Sequence, residues 1–186
     1  MKGRKGIVIL TLFVGALSVG VVSCKQMDSV IGAEAEARRK EALDRSAQRR
    51  TVADIRNVGT AMFSWLTDQV GAAAAGQPQN EMAGKKTTIG EYTPIPRAEL
   101  VKLLVPKYLQ AVPEKDGWGH PYEYYLLQGD TMAKRVMSIR SPGRDGKFDA
   151  DEYQLGPFDP DRFDEDVVWA DGYFVCWPQR PPSPSQ

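Results

Sequence analysis

Histidine occurs once in these 186 residues and cysteine twice. That scarcity removes most catalytic chemistry. There is no Ser/His/Asp order, no Cys/His pair, no phosphate-binding glycine loop and no HExxH helix. The lone histidine, His120, stands between Gly119 and Pro121, a turn position that suits a solvated or turn-bonded imidazole rather than a general base. No basic stripe with interleaved aromatics is present, which excludes ordinary nucleic-acid recognition. Nothing in the pattern points to a small-molecule substrate or an enzyme. If Cys24 is consumed at the N-terminus, Cys176 has no partner for an internal disulfide. It lies in the apolar run Tyr173-Phe174-Val175-Cys176-Trp177 and reads as a buried, inert thiol.

What is present begins with an export signature. Lys2, Arg4 and Lys5 precede an uncharged apolar run over 7–22, followed by Val21-Val22-Ser23-Cys24. This resembles a bacterial lipobox, in which Cys24 is diacylated and becomes the mature N-terminus. Three processing routes fit the segment: lipidation at Cys24, an uncleaved anchor or pilin-type leader, and plain secretory cleavage. Two or more acyl chains hold a protein stably on a membrane, whereas one is marginal. The expected location is the cell envelope, membrane-anchored and facing the periplasm or extracytoplasmic side.

The chain has room for one domain plus appendages. Residues 25–32 read as a short polar linker. Residues 33–70 carry a helical pattern. Its first half is rich in Ala, Glu and Arg, with Glu34/Arg38, Glu36/Lys40 and Glu41/Arg45 in the favourable i,i+4 order, and should be solvated. In its second half Val52, Ile55, Val58, Met62 and Leu66 form an apolar stripe that needs a partner sheet, widened by Phe63 and Trp65. One long helix and two helices bent near Ser46 both fit. Residues 71–92 read as a mobile loop and 96–104 as a short helix led by Pro96. Strands are expected over 122–127 and 135–141 around the turn Gln128-Gly129-Asp130. A second hairpin pairs 167–169 with 173–177 around Ala170-Asp171-Gly172. The organisation is a signal or membrane segment (1–23), a polar helical stalk (24–50), a globular domain (51–177) and a disordered Pro-rich tail (178–186). The fold class is α+β: a long helix on a small antiparallel sheet, with irregular acidic loops.

Charge is distributed unevenly. The chain is formally neutral, yet 141–171 holds ten acids against Arg144, Lys147 and Arg162. So many like charges repel one another unless a cation or the scattered arginines offset them. Gly117 and Gly119 are free to take positive φ in the turn Asp116-Gly117-Trp118-Gly119-His120-Pro121, letting Trp118 fold back as a core plug.

These pieces, taken in order, resemble a known family. Leu100 and Leu103, Pro106-Lys107-Tyr108-Leu109, Pro113, the Asp116–Tyr124 stretch, Ser141-Pro142-Gly143-Arg144-Asp145-Gly146, and the acidic cluster that leads into the final hairpin over Asp164–Trp169 look like the type II secretion major pseudopilin over about residues 50–175. The resemblance implies a pilin-like fold and a non-enzymatic subunit or accessory of a type II secretion or type IV pilus-like system. Its partners would be the membrane and secretion-system or pilus proteins. It also implies Ca²⁺ bound by the acidic loop, since calcium takes six to eight carboxylate and carbonyl oxygens. Residue by residue, that assigns Asp145, then Asp164 or Glu165, then Asp166. No Asp-x-Asp-x-Asp-Gly register is present, so the loop is not an EF-hand, and Asp149, Asp151, Asp159 and Asp161 lengthen it beyond the family pattern. The N-terminus also departs: Thr11 stands where the family carries a glutamate, and the apolar run stops at Cys24. The alternative reading is a freestanding lipoprotein that uses the same fold as an interaction module.

Overall fold

The computed structural model describes residues 24–70, 86–128 and 135–179, with side chains on the first helix described over 32–69. The chain divides into two compact units, Met1–Ala37 and Arg38–Gln186. The described part of the first is the opening of helix α1 (Cys24–Val70). Residues 25–32, expected to be a linker, are therefore helical. The apolar run over 7–22 lies outside the described residues, among which no helix is long and apolar enough to cross a membrane.

The second unit is α+β. After α1 come β1 (Lys86–Thr88), a 3₁₀ turn (Ile89–Glu91), α2 (Arg97–Leu104), β2 (Glu123–Leu126), β3 (Met137–Ser141), β4 (Glu152–Gln154), β5 (Gly156–Phe158), β6 (Val167–Ala170) and β7 (Tyr173–Pro178). The main sheet runs β2-β3-β6-β7-β5, antiparallel except for the parallel β5–β7 edge. Its register aligns Tyr124 with Ile139 and Ile139 with Trp169. A second ribbon pairs β1 with β4.

The sheet is covered on both faces, and strand periodicity shows how. Along β6, Val167 and Trp169 join the cluster of Ile55, Val58, Met62, Leu100 and Leu104. Val168 and Ala170 instead join Ile89, Tyr92, Tyr125, Tyr153, Tyr173 and Val175. Alternate residues point to opposite faces, so a strand buried along its whole length needs two covers. Helices α1 and α2 supply one; the β1–β4 ribbon and 3₁₀ turn supply the other. At one edge Pro157 sits in β5, as edge strands tolerate. At the other, the 93–95 segment meets β2 through Leu126 N–H to Thr93 O (2.8 Å) and Ile95 N–H to Tyr124 O (2.9 Å).

Several expectations held. Helix α2 starts after Pro96 and buries Leu100 and Leu104. The β6–β7 turn places Asp171 and Gly172 at φ 46° and 103°, the left-handed values that a two-residue Asp-Gly hairpin requires. Helix α1 continues through Ser46 without a break. Others need correction. Of the loop expected over 71–92, residues 71–85 lie outside the described residues, but 86–91 form β1 and the 3₁₀ turn, with Thr87 and Ile89 buried. Residues 129–134, which include the turn glycine, and 180–186 of the tail lie outside the described residues, while Pro178 ends β7.

The stalk expectation fails at two positions. Asp44 and Gln48 are buried, and with Thr51 they extend the stripe of Ile55, Val58, Met62 and Leu66 backwards at the same three- and four-residue spacing. The seam is continuous; its chemistry changes from polar to apolar near Thr51. The domain thus begins before residue 51, inside the stretch assigned to the stalk.

Candidate functional site

The site is assembled around the buried carboxylate of Asp116, which is 2% exposed. Its Oδ1 accepts hydrogen bonds from the backbone N–H of Trp118 (3.0 Å) and of His120 (2.9 Å). This is how an Asx turn closes on itself. Its Oδ2 accepts from Ser141 Oγ at 2.7 Å. The Ser141 hydroxyl in turn accepts from the Gly143 N–H at 3.3 Å. Two motifs separated by some twenty residues are therefore one structure.

His120 completes the join. Its Nε2 lies 3.1 Å from the Arg144 carbonyl, so in this bond the ring nitrogen carries the hydrogen and donates. The ring fills the space over Gly146, where a Cβ would come within 2.7 Å of it. The turn-bonded imidazole expected from the sequence is what the structure contains.

The turn also grips helix α1. Gly117 does not use a positive φ; that falls to Gly119, at 97°. Gly117 is needed for close approach instead, since a Cβ there would lie 2.1 Å from Ala47 O. Its N–H donates to Thr51 Oγ1 (2.9 Å). Trp118 belongs to neither core cluster. Partly buried, it donates Nε1–H to Asp44 Oδ1 at 3.0 Å.

Arg144 binds the same helix position from the other side. Its Nη1 donates to Asp44 Oδ2 (3.1 Å), and its Nε and Nη2 engage both oxygens of Asp164 at 2.8 Å. Such a fork is the strong, directional form of an arginine–carboxylate pair. The guanidinium stands over the Phe163 ring, 5.6 Å from its centroid, and the Arg144 N–H donates to Phe163 O (2.9 Å). The hydrogen bond from Arg144 holds the Asp164 carboxyl below its ordinary range.

The four acids assigned to calcium are not gathered as side chains. Among the described residues, no group of three or more His, Cys, Asp and Glu side chains is placed to hold a metal. Asp145 is exposed, and its Oδ1 caps the Lys147 N–H (3.0 Å). Asp164 is engaged by Arg144, and Glu165 by Arg162. Asp161 is paired with Arg45 of α1 (2.8 Å). The arginines thus take up much of the charge that the sequence left to be offset.

Asp166 differs. It is 3% exposed; Oδ2 accepts from Tyr153 OH (2.6 Å) and the Asp149 N–H (3.0 Å), and Oδ1 has no partner. Burial pushes its carboxyl up to about 6, against the opposing pull of those hydrogen bonds. Nearby, Arg140 is stacked 3.9 Å from the Phe148 ring centroid and bonded to Glu123 (2.7 Å) and Tyr153 OH (3.3 Å).

A second oxygen group lies at Gly143, whose φ is 69°. A Cβ on this residue would come within 2.7 Å of Glu165 O and 2.9 Å of both Asp164 O and Phe163 O. Three carbonyls of one turn converge there. Carbonyl and carboxylate oxygens are the donors calcium takes. The carbonyls of 163–165 close on the Gly143 backbone, so the one feature that bears on calcium is the buried, unpartnered Asp166 Oδ1, not the Asp164 and Glu165 side chains.

Cys24 opens α1, with its side chain outside the described residues. Cys176 is a free, partly buried thiol raised by burial to about 12, and so stays protonated and unreactive. The sequence reading passed over Asp44, and it named Arg144 only as one of the bases among the acids, without its partners. Asp44 could have been found from its spacing to Ile55 through Gln48 and Thr51, had the stripe not been read from apolar residues alone. Arg144 carries no local signal, because both its carboxylate partners are distant in the chain. No protein-family model, curated protein or solved structure matches this chain.

Proposed function

We propose that the protein is a non-enzymatic, pseudopilin-like subunit or accessory of a type II secretion or type IV pilus-like system, held in the cell envelope by its N-terminal segment. One observation carries the reading. The Asp116 turn, the Ser141–Gly146 loop and the 163–166 turn, on which the resemblance rests, meet in one hydrogen-bonded unit docked on the long helix. Calcium belongs to the proposal, supported by the buried, unpartnered Oδ1 of Asp166.

The test is site-specific photocrosslinking from the exposed face of α1 in the native membrane, followed by mass spectrometry of the adducts. Adducts with secretion or pilus components are expected. Adducts only with unrelated envelope proteins would sink the reading.

A second reading is supported by Val21-Val22-Ser23-Cys24: a freestanding lipoprotein that uses this fold as an interaction module. Crosslinks to secretion or pilus components count against it, and the intact mass of the membrane-extracted protein reports the processing. A chain starting at acylated Cys24 favours the accessory or lipoprotein form; one starting at Ile7 favours pilin-type processing and filament assembly.

A further inference from the structure

The chain holds three Asp-Gly pairs: Asp116-Gly117, Asp145-Gly146 and Asp171-Gly172. Such a pair is chemically distinctive, because a residue without a side chain leaves its backbone nitrogen open to the preceding carboxyl carbon. Attack forms the N–Cγ bond of a five-membered succinimide and expels the side-chain hydroxyl, with the amide hydrogen, as water. Water then adds to the backbone carbonyl carbon of the ring and breaks its bond to nitrogen. The chain is left linked through Cγ, as isoaspartate. One water leaves and one returns, so no oxidant or reductant is needed and the mass is unchanged, but the main chain gains one atom.

The fold holds two of the pairs against this reaction. Asp116 is 2% exposed, and its oxygens accept from Trp118 N–H, His120 N–H and Ser141 Oγ. The Gly117 N–H, whose nitrogen would attack, is committed to Thr51 Oγ1. Asp171 turns Oδ1 to the N–H groups of Val136 (3.0 Å) and Met137 (3.1 Å), and Oδ2 to Tyr92 OH (2.8 Å). Asp145 and Gly146, by contrast, are both exposed. Among the described residues, the one hydrogen bond to the Asp145 carboxylate comes from Lys147 N–H to Oδ1. The ring closed by that bond contains both Cγ and the Gly146 nitrogen, and so folds the carboxyl back over the peptide bond that joins the pair.

Position gives the reaction a structural consequence. Gly146 lies under the His120 ring, and the Arg144 carbonyl accepts from His120 Nε2 at 3.1 Å. These contacts stand on either side of Asp145. An extra main-chain atom between residues 144 and 146 changes the spacing on which both depend.

We infer that Asp145-Gly146 is the isoaspartate-forming site of this protein, and that conversion there loosens the joint between the Asp116 turn and the 141–146 loop.

In the experiment, the full chain in detergent is aged beside a free peptide covering 141–149 until half of the peptide has converted. Isoaspartate is labelled with an L-isoaspartyl methyltransferase and placed by peptide mapping. Fresh and aged samples of wild type and D145E are then melted. Asp145 is expected to carry at least about tenfold more isoaspartate than Asp116 or Asp171, because those sites react only from the locally opened fraction. Aged wild type should melt below fresh protein. Aged D145E, whose longer side chain would have to close a six-membered imide, should melt as it did when fresh. No isoaspartate at Asp145 of the folded chain overturns the site, as does equal or greater label at Asp116 or Asp171. Conversion at Asp145 with unchanged melting overturns the loosening, and so does an equal fall in aged D145E, which would assign the loss to other damage.

Discussion

Gly117 lies directly against the backbone of Ala47: a Cβ on the glycine would fall 2.1 Å from the alanine carbonyl oxygen and 2.5 Å from its Cα. The obstacle is main chain inside a helix, so no side-chain rotation relieves it. G117A must push the turn off α1, stretching the Gly117 N–H to Thr51 Oγ1 bond and misplacing Trp118 over Asp44. The expected cost is about 3 kcal/mol, at the upper end for overpacking. Denaturant titration of G117A checks it, and stability within error of wild type would refute the close contact.

Gly59 sits in the middle of α1, where alanine would ordinarily stabilise the helix by about 1 kcal/mol. Here the Trp169 indole fills the space, 2.7 Å from where a Cβ would stand. G59A is therefore expected to destabilise by roughly 1–3 kcal/mol despite its better propensity. The smaller ring of W169F should recover part of that loss in the double variant, a coupling that a thermodynamic cycle measures.

Asp44 joins Trp118 to Arg144 through its two oxygens. D44A leaves both donors without this acceptor and should cost about 1–3 kcal/mol. The D44A/R144A cycle should show a coupling of at least about 0.5 kcal/mol, as for residues in direct contact. Additive losses would mean that the pair contributes nothing.

Asp166 makes stability depend on pH in an uncommon direction. Its folded carboxyl is pushed up to about 6 by burial, above the ordinary value that it recovers on unfolding. Above pH 6 both states are ionised and the folded state bears the full desolvation cost. As pH falls from 6 towards 4 the folded state holds a proton that the unfolded state releases, so stability rises, by up to roughly 3 kcal/mol. This contribution is lost again as pH rises through 6. D166N should be more stable than wild type at pH 7.5 in chelator and should flatten the profile between 4 and 6. Denaturant melts of both proteins across this range measure it, and parallel profiles would show that another group is responsible.

Much of the fold could be read from local pattern. The second half of α1, α2 and the 167–177 hairpin follow from spacing, a proline at a helix start and an Asp-Gly turn, all of which act over a few residues. β1, β4 and β5 could not be read. Each is three residues long, and each is a strand because of its partner: Thr87 faces Tyr153, and Gly156 faces Cys176. The candidate site was legible as motifs and not as bonds. Asp145, Asp164, Glu165 and Asp166 are all present, yet whether an acid faces an arginine or nothing depends on chain brought from far away, as Asp44 is to Arg144 across a hundred residues.

The sequence by itself determined a long amphipathic helix, an antiparallel hairpin pair, glycine-dependent turns and an excess of acid near the C-terminus. Periodicity, steric freedom and charge are properties of neighbouring residues. Tertiary structure alone decided which charges cancel, that the polar half of the seam on α1 is buried from Asp44 onward, and that Asp166 keeps an unpartnered oxygen. The reason is that desolvation and hydrogen bonding depend on what surrounds an atom in space, and a folded chain sets those surroundings at separations that sequence spacing does not encode.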